Sequence, residues 1–224
     1  MKAILLAVLS ALVAAPLQNL PNAFPRESAK QLIDNERVTV WDVTTEKGKP
    51  TAMHRHPYDY VLVDLADATG KITSENGRQG NYAVRTGRVS FGQKGSVEKQ
   101  ENVSDTARHF ILVELKDAKV SPLANQSGYP DAFPREGSKK LLDNSRVRVW
   151  DFSWTPGKST AVHFHDKDVV AVYLDNGDLS STTLDGKTVA NSYVFGQAKF
   201  NPRDRTHSEL LVKGAQRVIA IELK

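Results

Sequence analysis

Five of the six histidines in this chain fall into one pattern. Gly48 is followed, after five residues, by His54-Arg-His56, and Gly157, after five residues, by His163-Phe-His165. Alternate residues of a β-strand point to the same face, so each pair can converge on one metal ion. Farther along, the matched positions of the two halves hold Glu98 and His207. A distant strand that adds one more ligand to a His-x-His pair completes a facial site. The candidate ligand sets are therefore His163, His165 and His207 in the second half, and His54, His56 and Glu98 in the first. Three neutral imidazoles suit a divalent transition metal, whether Fe, Mn, Zn, Ni or Cu, and two histidines with a carboxylate suit the same group. Cysteine is absent, which excludes disulfides, thiolate catalysis and thiolate-bound zinc. The sixth histidine, His109, stands beside Phe110 at a strand start and reads as structural.

Elements that could position these residues are written twice. Ala23-Phe-Pro-Arg-Glu27 returns as Ala132-Phe-Pro-Arg-Glu136, a shift of 109 residues. The same shift relates Asp34-Asn35 to Asp143-Asn144, Trp41-Asp42 to Trp150-Asp151, and Asn76-Gly77 to Asp185-Gly186. One residue is lost near the end, where Val113-Glu114-Leu115 corresponds to Ile221-Glu222-Leu223. Two copies of so long a unit indicate a duplicated domain, not a solenoid. The expected division is residues 21–116 and 131–224, joined by a linker over 117–130. Alternating stretches such as Arg37–Trp41 and Arg146–Trp150 read as half-buried strands, and the Asn-Gly and Asp-Gly pairs as two-residue hairpin turns. A short helix is expected before each set of strands, over Arg26–Ile33 and Arg135–Leu142. Trp41 and Trp150 recur at one strand position and read as core.

These motifs resemble those of the cupin superfamily. Its first motif, Gly, five residues, His-x-His, three or four residues, Glu, six residues, Gly, is matched by Gly157, His163, His165 and Gly177, with Val170 at the glutamate position. In the first half Gly48, His54 and His56 match, with Val61 for the glutamate and Ala68 for the last glycine. The second motif is matched by Gly196, Pro202 and His207, with Asp204 for a glycine, and in the first half by Gly87, Gly95 and Asn102, with Glu98 for the histidine. The resemblance implies an all-β fold of two tandem jelly-roll barrels and a divalent metal on the motif histidines. Asp168 and Asp59 stand two residues before the vacated glutamate positions and share their strand parity. Asp168 is the candidate catalytic carboxylate, tuning the second site as a general base or by orienting a ligand. Arg203 and Arg205 also lie within the motifs, where one could grip an anion.

Composition narrows the function. The 224-residue chain carries a formal charge of only +4, without a Lys/Arg run, which argues against nucleic acid as a partner. Lys2 followed by the apolar run Ala3–Ala15 is too short to span a bilayer and suits an export signal over residues 1–20, hence a periplasmic or secreted protein without a membrane span once matured. The expected function is that of a metal-dependent enzyme acting on a small organic molecule in the second barrel, dioxygenase-like chemistry being the first guess. A non-catalytic periplasmic protein binding metal or a small ligand is the alternative, and the chain could form a homodimer.

Overall fold

The computed structural model describes residues 20–121 and 123–224. The apolar run read as an export signal lies outside them. The first half contributes β1 (Ala29–Asp34), β2 (Val38–Thr45), β3 (His54–Arg55), β4 (Asp59–Asp64), β5 (Ala68–Ser74), β6 (Gln79–Val84), β7 (Val89–Gly92), β8 (Val97–Asn102) and β9 (Arg108–Leu115). The second repeats them as β10 (Lys139–Asp143), β11 (Val147–Ser153), β12 (His163–His165), β13 (Val169–Tyr173), β14 (Gly177–Thr183), β15 (Thr188–Tyr193), β16 (Ala198–Asn201), β17 (Arg205–Gly214) and β18 (Arg217–Leu223). Each half folds into a five-stranded sheet, ordered β1-β2-β9-β4-β7 or β10-β11-β18-β13-β16, and a four-stranded sheet, ordered β3-β8-β5-β6 or β12-β17-β14-β15. Every pairing between these strands is antiparallel. The chain is all-β, and among the described residues no helix is long and apolar enough to cross a membrane.

The two short helices expected from sequence do not form. Residues Ala29–Asp34 pair with β2, and Lys139–Asp143 with β11, each as an edge strand with a bulge in its middle. Ala, Lys, Gln and Leu favour a helix locally, but the sheet edge offers more. The bulge lets the consecutive Leu32 and Ile33 both pack on the core, as Leu141 and Leu142 do. Asn35 then closes the turn into β2 by accepting hydrogen bonds from the Arg37 and Val38 backbone N–H groups at 2.9 and 3.0 Å. Asn144 does the same for β11. The hairpins marked by Asn76-Gly77 and Asp185-Gly186 do form, through connections over 75–78 and 184–187, longer than the two residues anticipated.

The faces of the large sheets explain the organisation. One continuous apolar cluster draws Val38, Val40, Val61, Val63, Ile111 and Val113 from the first half and Val147, Val149, Val170, Val172, Ile219 and Ile221 from the second, all fully buried. The five-stranded sheets thus pack on each other, and fully burying each such side chain contributes about 1.5–3 kcal/mol. The opposite faces line the barrel interiors. Tyr60, Leu62, Phe110 and Leu112 fill the first, whereas Val169, Ala171, Val218 and Ala220 line the second. Strand alternation gives each large sheet one face for its barrel and one for its twin.

Candidate metal centres

Each barrel gathers one ligand set from the short strand β3, with His56 directly after it, or β12, and from the longer strand β8 or β17. Register sets His163 opposite His207 and His54 opposite Glu98. In the second barrel one ligand atom from each of His163, His165 and His207 lies within 4.8 Å of the others, and all three residues are buried. His165 Nε2 is 3.2 Å from His207 Nε2. His163 Nδ1 donates to the Ala161 carbonyl at 2.9 Å, and His207 Nδ1 meets the Ser181 hydroxyl at 3.0 Å. These contacts turn the Nε2 atoms of both rings toward the cluster. Burial lowers the pKa of all three imidazoles, that of His207 to about 4. They are therefore neutral near pH 7, with lone pairs free for a cation. His165 Nδ1, on the side of the ring away from the His207 contact, is buried with no hydrogen-bond partner among the described residues. A divalent metal fits this donor set.

The first barrel repeats the frame with a different filling. His54 Nδ1 donates to the Ala52 carbonyl at 2.8 Å, and His56 Nε2 lies 3.7 Å from Glu98 Oε1. Both ring nitrogens of His56 are buried without a hydrogen-bond partner among the described residues. Burial works to raise the Glu98 pKa, but the nearby His56 imidazole and a hydrogen bond from Gln100 bring it below its usual value. Tyr60 stacks on His56 with ring centroids 4.1 Å apart. A Cβ at Gly92, opposite Tyr60 in the sheet, would lie only 2.0 Å from that ring. Arg108 fills more of the interior, donating to Asp64 at 2.9 Å and to Gln100 at 3.0 Å, with its guanidinium over Tyr82 and Phe110.

In the second barrel the corresponding space is a cavity of about 200 Å³. Besides His165 and His207, it is lined by Arg135, Lys199, Arg205, Glu209, Tyr173 and Tyr193. The two tyrosine rings stack 4.0 Å apart. Arg205 is the motif arginine that faces the cavity. Arg203 instead points to the Ser121 carbonyl, at 2.5 Å. The motif glycine position occupied by Asp204 keeps the backbone that the motif needs, with φ of 64° against 83° at Gly95. From that turn the Asp204 N–H donates to the His165 carbonyl at 2.8 Å, as Gly95 does to His56.

Two expectations from sequence are displaced. Asp168 does share a strand face with Val170, but that face is packed against the other barrel. Its Oδ2 accepts a hydrogen bond from Arg37 of the first half at 2.6 Å, and its Oδ1 accepts one from the Arg203 backbone N–H at 2.9 Å. The structure places Asp168 in an ion pair between the halves, outside the metal cluster. Asp59 mirrors it, 3.4 Å from Arg146. By the same parity Val169, not Val170, faces the cavity, so the vacated motif position toward the metal is Val169, with Tyr60 in the first barrel.

Sequence reasoning missed Glu209 and Arg135. Glu209 follows His207 by two residues on β17 and faces the same cavity. Arg135 belongs to the repeated Ala-Phe-Pro-Arg-Glu segment, whose placement explains the repeat. Phe133 stacks on Trp150 at 5.4 Å, and Trp150 Nε1 donates to Glu222 at 2.8 Å. Arg135 then lies over Phe133 and reaches Glu209 at 3.1 Å and His163 Nε2 at 3.4 Å. Phe24, Trp41, Glu114 and Arg26 form the matched set in the first barrel. The recurrence of the segment was the available signal. His109 proves structural, paired with Asp42 at 2.6 Å as Arg217 is with Asp151.

Solved structures share this architecture. A cupin 2 conserved barrel domain protein from Leptotrichia buccalis matches 96% of this chain and 100% of its own, with a TM-score of 0.55 and 16% identity. The oxalate decarboxylase of Bacillus subtilis, described with Mn(II) centres, matches 93% of this chain and 78% of its own, with a TM-score of 0.61 and 11% identity. At such identities the likeness shows the fold. The Beta-alanine degradation protein BauB of Pseudomonas aeruginosa is 33% identical over 96 residues, which are 43% of this chain and 95% of the relative. The chain belongs to the family of BauB and has the cupin fold. No family model matches it. Its two cupin barrels carry two candidate divalent-metal sites, on His163, His165 and His207 and on His54, His56 and Glu98.

Proposed function

We propose that the second barrel is the active centre of a metal-dependent enzyme acting on a small organic acid. The observation that carries this reading is the cavity of about 200 Å³ onto which the histidine cluster opens. Three cationic side chains, Arg135, Lys199 and Arg205, line it against one carboxylate, Glu209. A further anion is what that balance accommodates, and a guanidinium holds a carboxylate through paired N–H donors. Tyr173 and Tyr193 supply a stacked wall with hydroxyls at its edge, and Val169, Ala171, Val218 and Ala220 supply apolar width. A bound divalent metal supplies Lewis acidity or, if redox-active, a place for O₂. The chain's own residues select, orient and shield the acid. The name of the BauB relative points the same way, β-alanine being a small carboxylate.

The test is a panel of small mono- and dicarboxylates offered to the metal-loaded protein, with O₂ uptake and NMR of products as readouts. Dioxygenase-like oxidation is the first reaction to look for. Turnover of one acid, with Arg205→Met lowering kcat/KM at least tenfold at unchanged metal content, supports the reading. Binding without turnover makes the protein a non-catalytic acid binder, and neither binding nor turnover sinks the proposal.

We also propose export to the periplasm or medium, supported by Lys2 and the apolar run Ala3–Ala15. A mature N-terminus between Ala14 and Asn22 supports it, and an intact Met1 in the cytoplasm overturns it.

A further inference from the structure

The vacated glutamate position leaves a question of charge: what anion faces the cation in the second barrel? Val169 occupies the place that points into the cavity, and Asp168 is turned to the other barrel. Among the described residues that line the cavity, Glu209 is the one carboxylate. It stands on β17, and alternation sends Arg205, His207 and Glu209 to the same face. Glu209 Oε1 lies 3.9 Å from His207 Nε2, while Oε2 accepts from Arg135 at 3.1 Å. Nitrogen and oxygen donors bind such metals at about 2.0–2.2 Å, so two donors on one ion stand no more than about 4.2 Å apart. The His207–Glu209 separation meets that limit, while Glu209 stands outside the group of three histidine donors that lie within 4.8 Å of one another, so its side chain must turn toward them to share the ion.

The first barrel adds an independent observation. The matched positions hold Ser96, just before β8, and Glu98 and Gln100 on one face of it. Each barrel therefore holds one carboxylate on the inner face of this strand, at Glu98 in the first and two residues farther along in the second. An arginine of the repeated segment accompanies each, Arg135 at Glu209 and Arg26 within the field of Glu98. The carboxylate has moved along the strand without leaving the site.

We propose that Glu209 is the carboxylate ligand of the second metal site, taking through Oε1 the part that the motif assigns to a glutamate on the neighbouring sheet. Its Oε2 keeps Arg135 in place beside His163. This rests on metal binding by the second barrel, and the experiment separates the two. Cobalt(II) is titrated into the full chain and into H207A, E209Q and R135M, with affinity from chelator competition and coordination from the visible absorption bands. The unaltered chain is expected to bind, and E209Q to bind at least tenfold more weakly with altered bands, a loss in the range known for groups that support a metal. R135M breaks the same ion pair from its other end and is expected not to weaken binding. Unchanged affinity and bands in E209Q overturn the proposal, as does equal weakening in E209Q and R135M, which would assign the effect to the ion pair. If the unaltered chain binds no cobalt, the reading of the second barrel as a metal site falls instead. Should E209Q fail to fold, E209D keeps the charge but withdraws it by one methylene. Weakened cobalt binding by E209D then supports ligation, and unchanged binding overturns it.

Discussion

The two barrels share a frame and differ in what fills it. At four matched interior positions the first has Tyr60, Leu62, Phe110 and Leu112 where the second has Val169, Ala171, Val218 and Ala220. On the other face of the same strands the matched residues barely change: Val61 and Val170, Val63 and Val172, Ile111 and Ile219, Val113 and Ile221. The face that joins the halves keeps β-branched side chains of nearly one size, because interiors are close-packed and lose stability to voids. The face toward the barrel interior has been free to diverge. One barrel surrounds its ligand set with larger side chains, and the other has a cavity beside its histidines. Strand alternation lets a single segment carry both roles.

The sharpest way to break this comparison is to remove the ligand that differs. His207→Ala is expected to strip the second site, lowering metal content and affinity by at least a hundredfold, whereas Glu98→Ala should leave most bound metal in place. Elemental analysis after dialysis checks both, and the reverse result would make the first barrel the metal-bearing one.

The junction comes next. Arg37 and Asp168 are paired at 2.6 Å with only 12% and 11% of their side chains exposed, so Asp168→Ala strands a buried guanidinium and is expected to cost about 3 kcal/mol. The mirrored Asp59→Ala breaks a 3.4 Å contact at 30% and 21% exposure and should cost about 1 kcal/mol or less. Urea unfolding measures both. Metal affinity should be unchanged in either, and a large loss in Asp168→Ala would return that residue to the site.

A milder test exchanges fillings. Ala171→Leu with Ala220→Leu gives the second barrel the first barrel's residues and should close its cavity. Overpacking costs typically about 1–3 kcal/mol. Binding of small carboxylates should be lost while the three histidines still hold metal, which calorimetry against both ligands would show. Retained acid binding would move the substrate site elsewhere. The smallest effect is expected from Asp204→Gly, which frees a turn already at φ of 64°. Glycine adopts that backbone without a side-chain penalty, so stability should shift by less than about 1 kcal/mol.

Much of this was legible in the chain. The repeated segment, the His-x-His pairs and the matched Glu98 and His207 announced two barrels with two ligand sets, because spacing in sequence becomes direction on a strand. The helices expected over Arg26–Ile33 and Arg135–Leu142 were not there to be read. Their residues favour a helix locally, and only the sheet edge and the neighbouring barrel make a bulged strand better. Parity was sound for Asp168 and Val170, which do share a face, but parity cannot say which face is the cavity. Both faces of β13 are buried, so its five residues carry no polar mark to distinguish inside from junction.

By itself, then, the sequence determined the duplication, the strand pattern and the histidines' common direction, all of which follow from local periodicity. Tertiary structure alone decided that Asp168 bridges the halves, that Arg135 and Glu209 meet at the histidines, and that one barrel is filled while the other is open. Those outcomes depend on which side chains meet across 28 to 131 residues of chain and on the volumes they leave between them. No local pattern encodes such a sum.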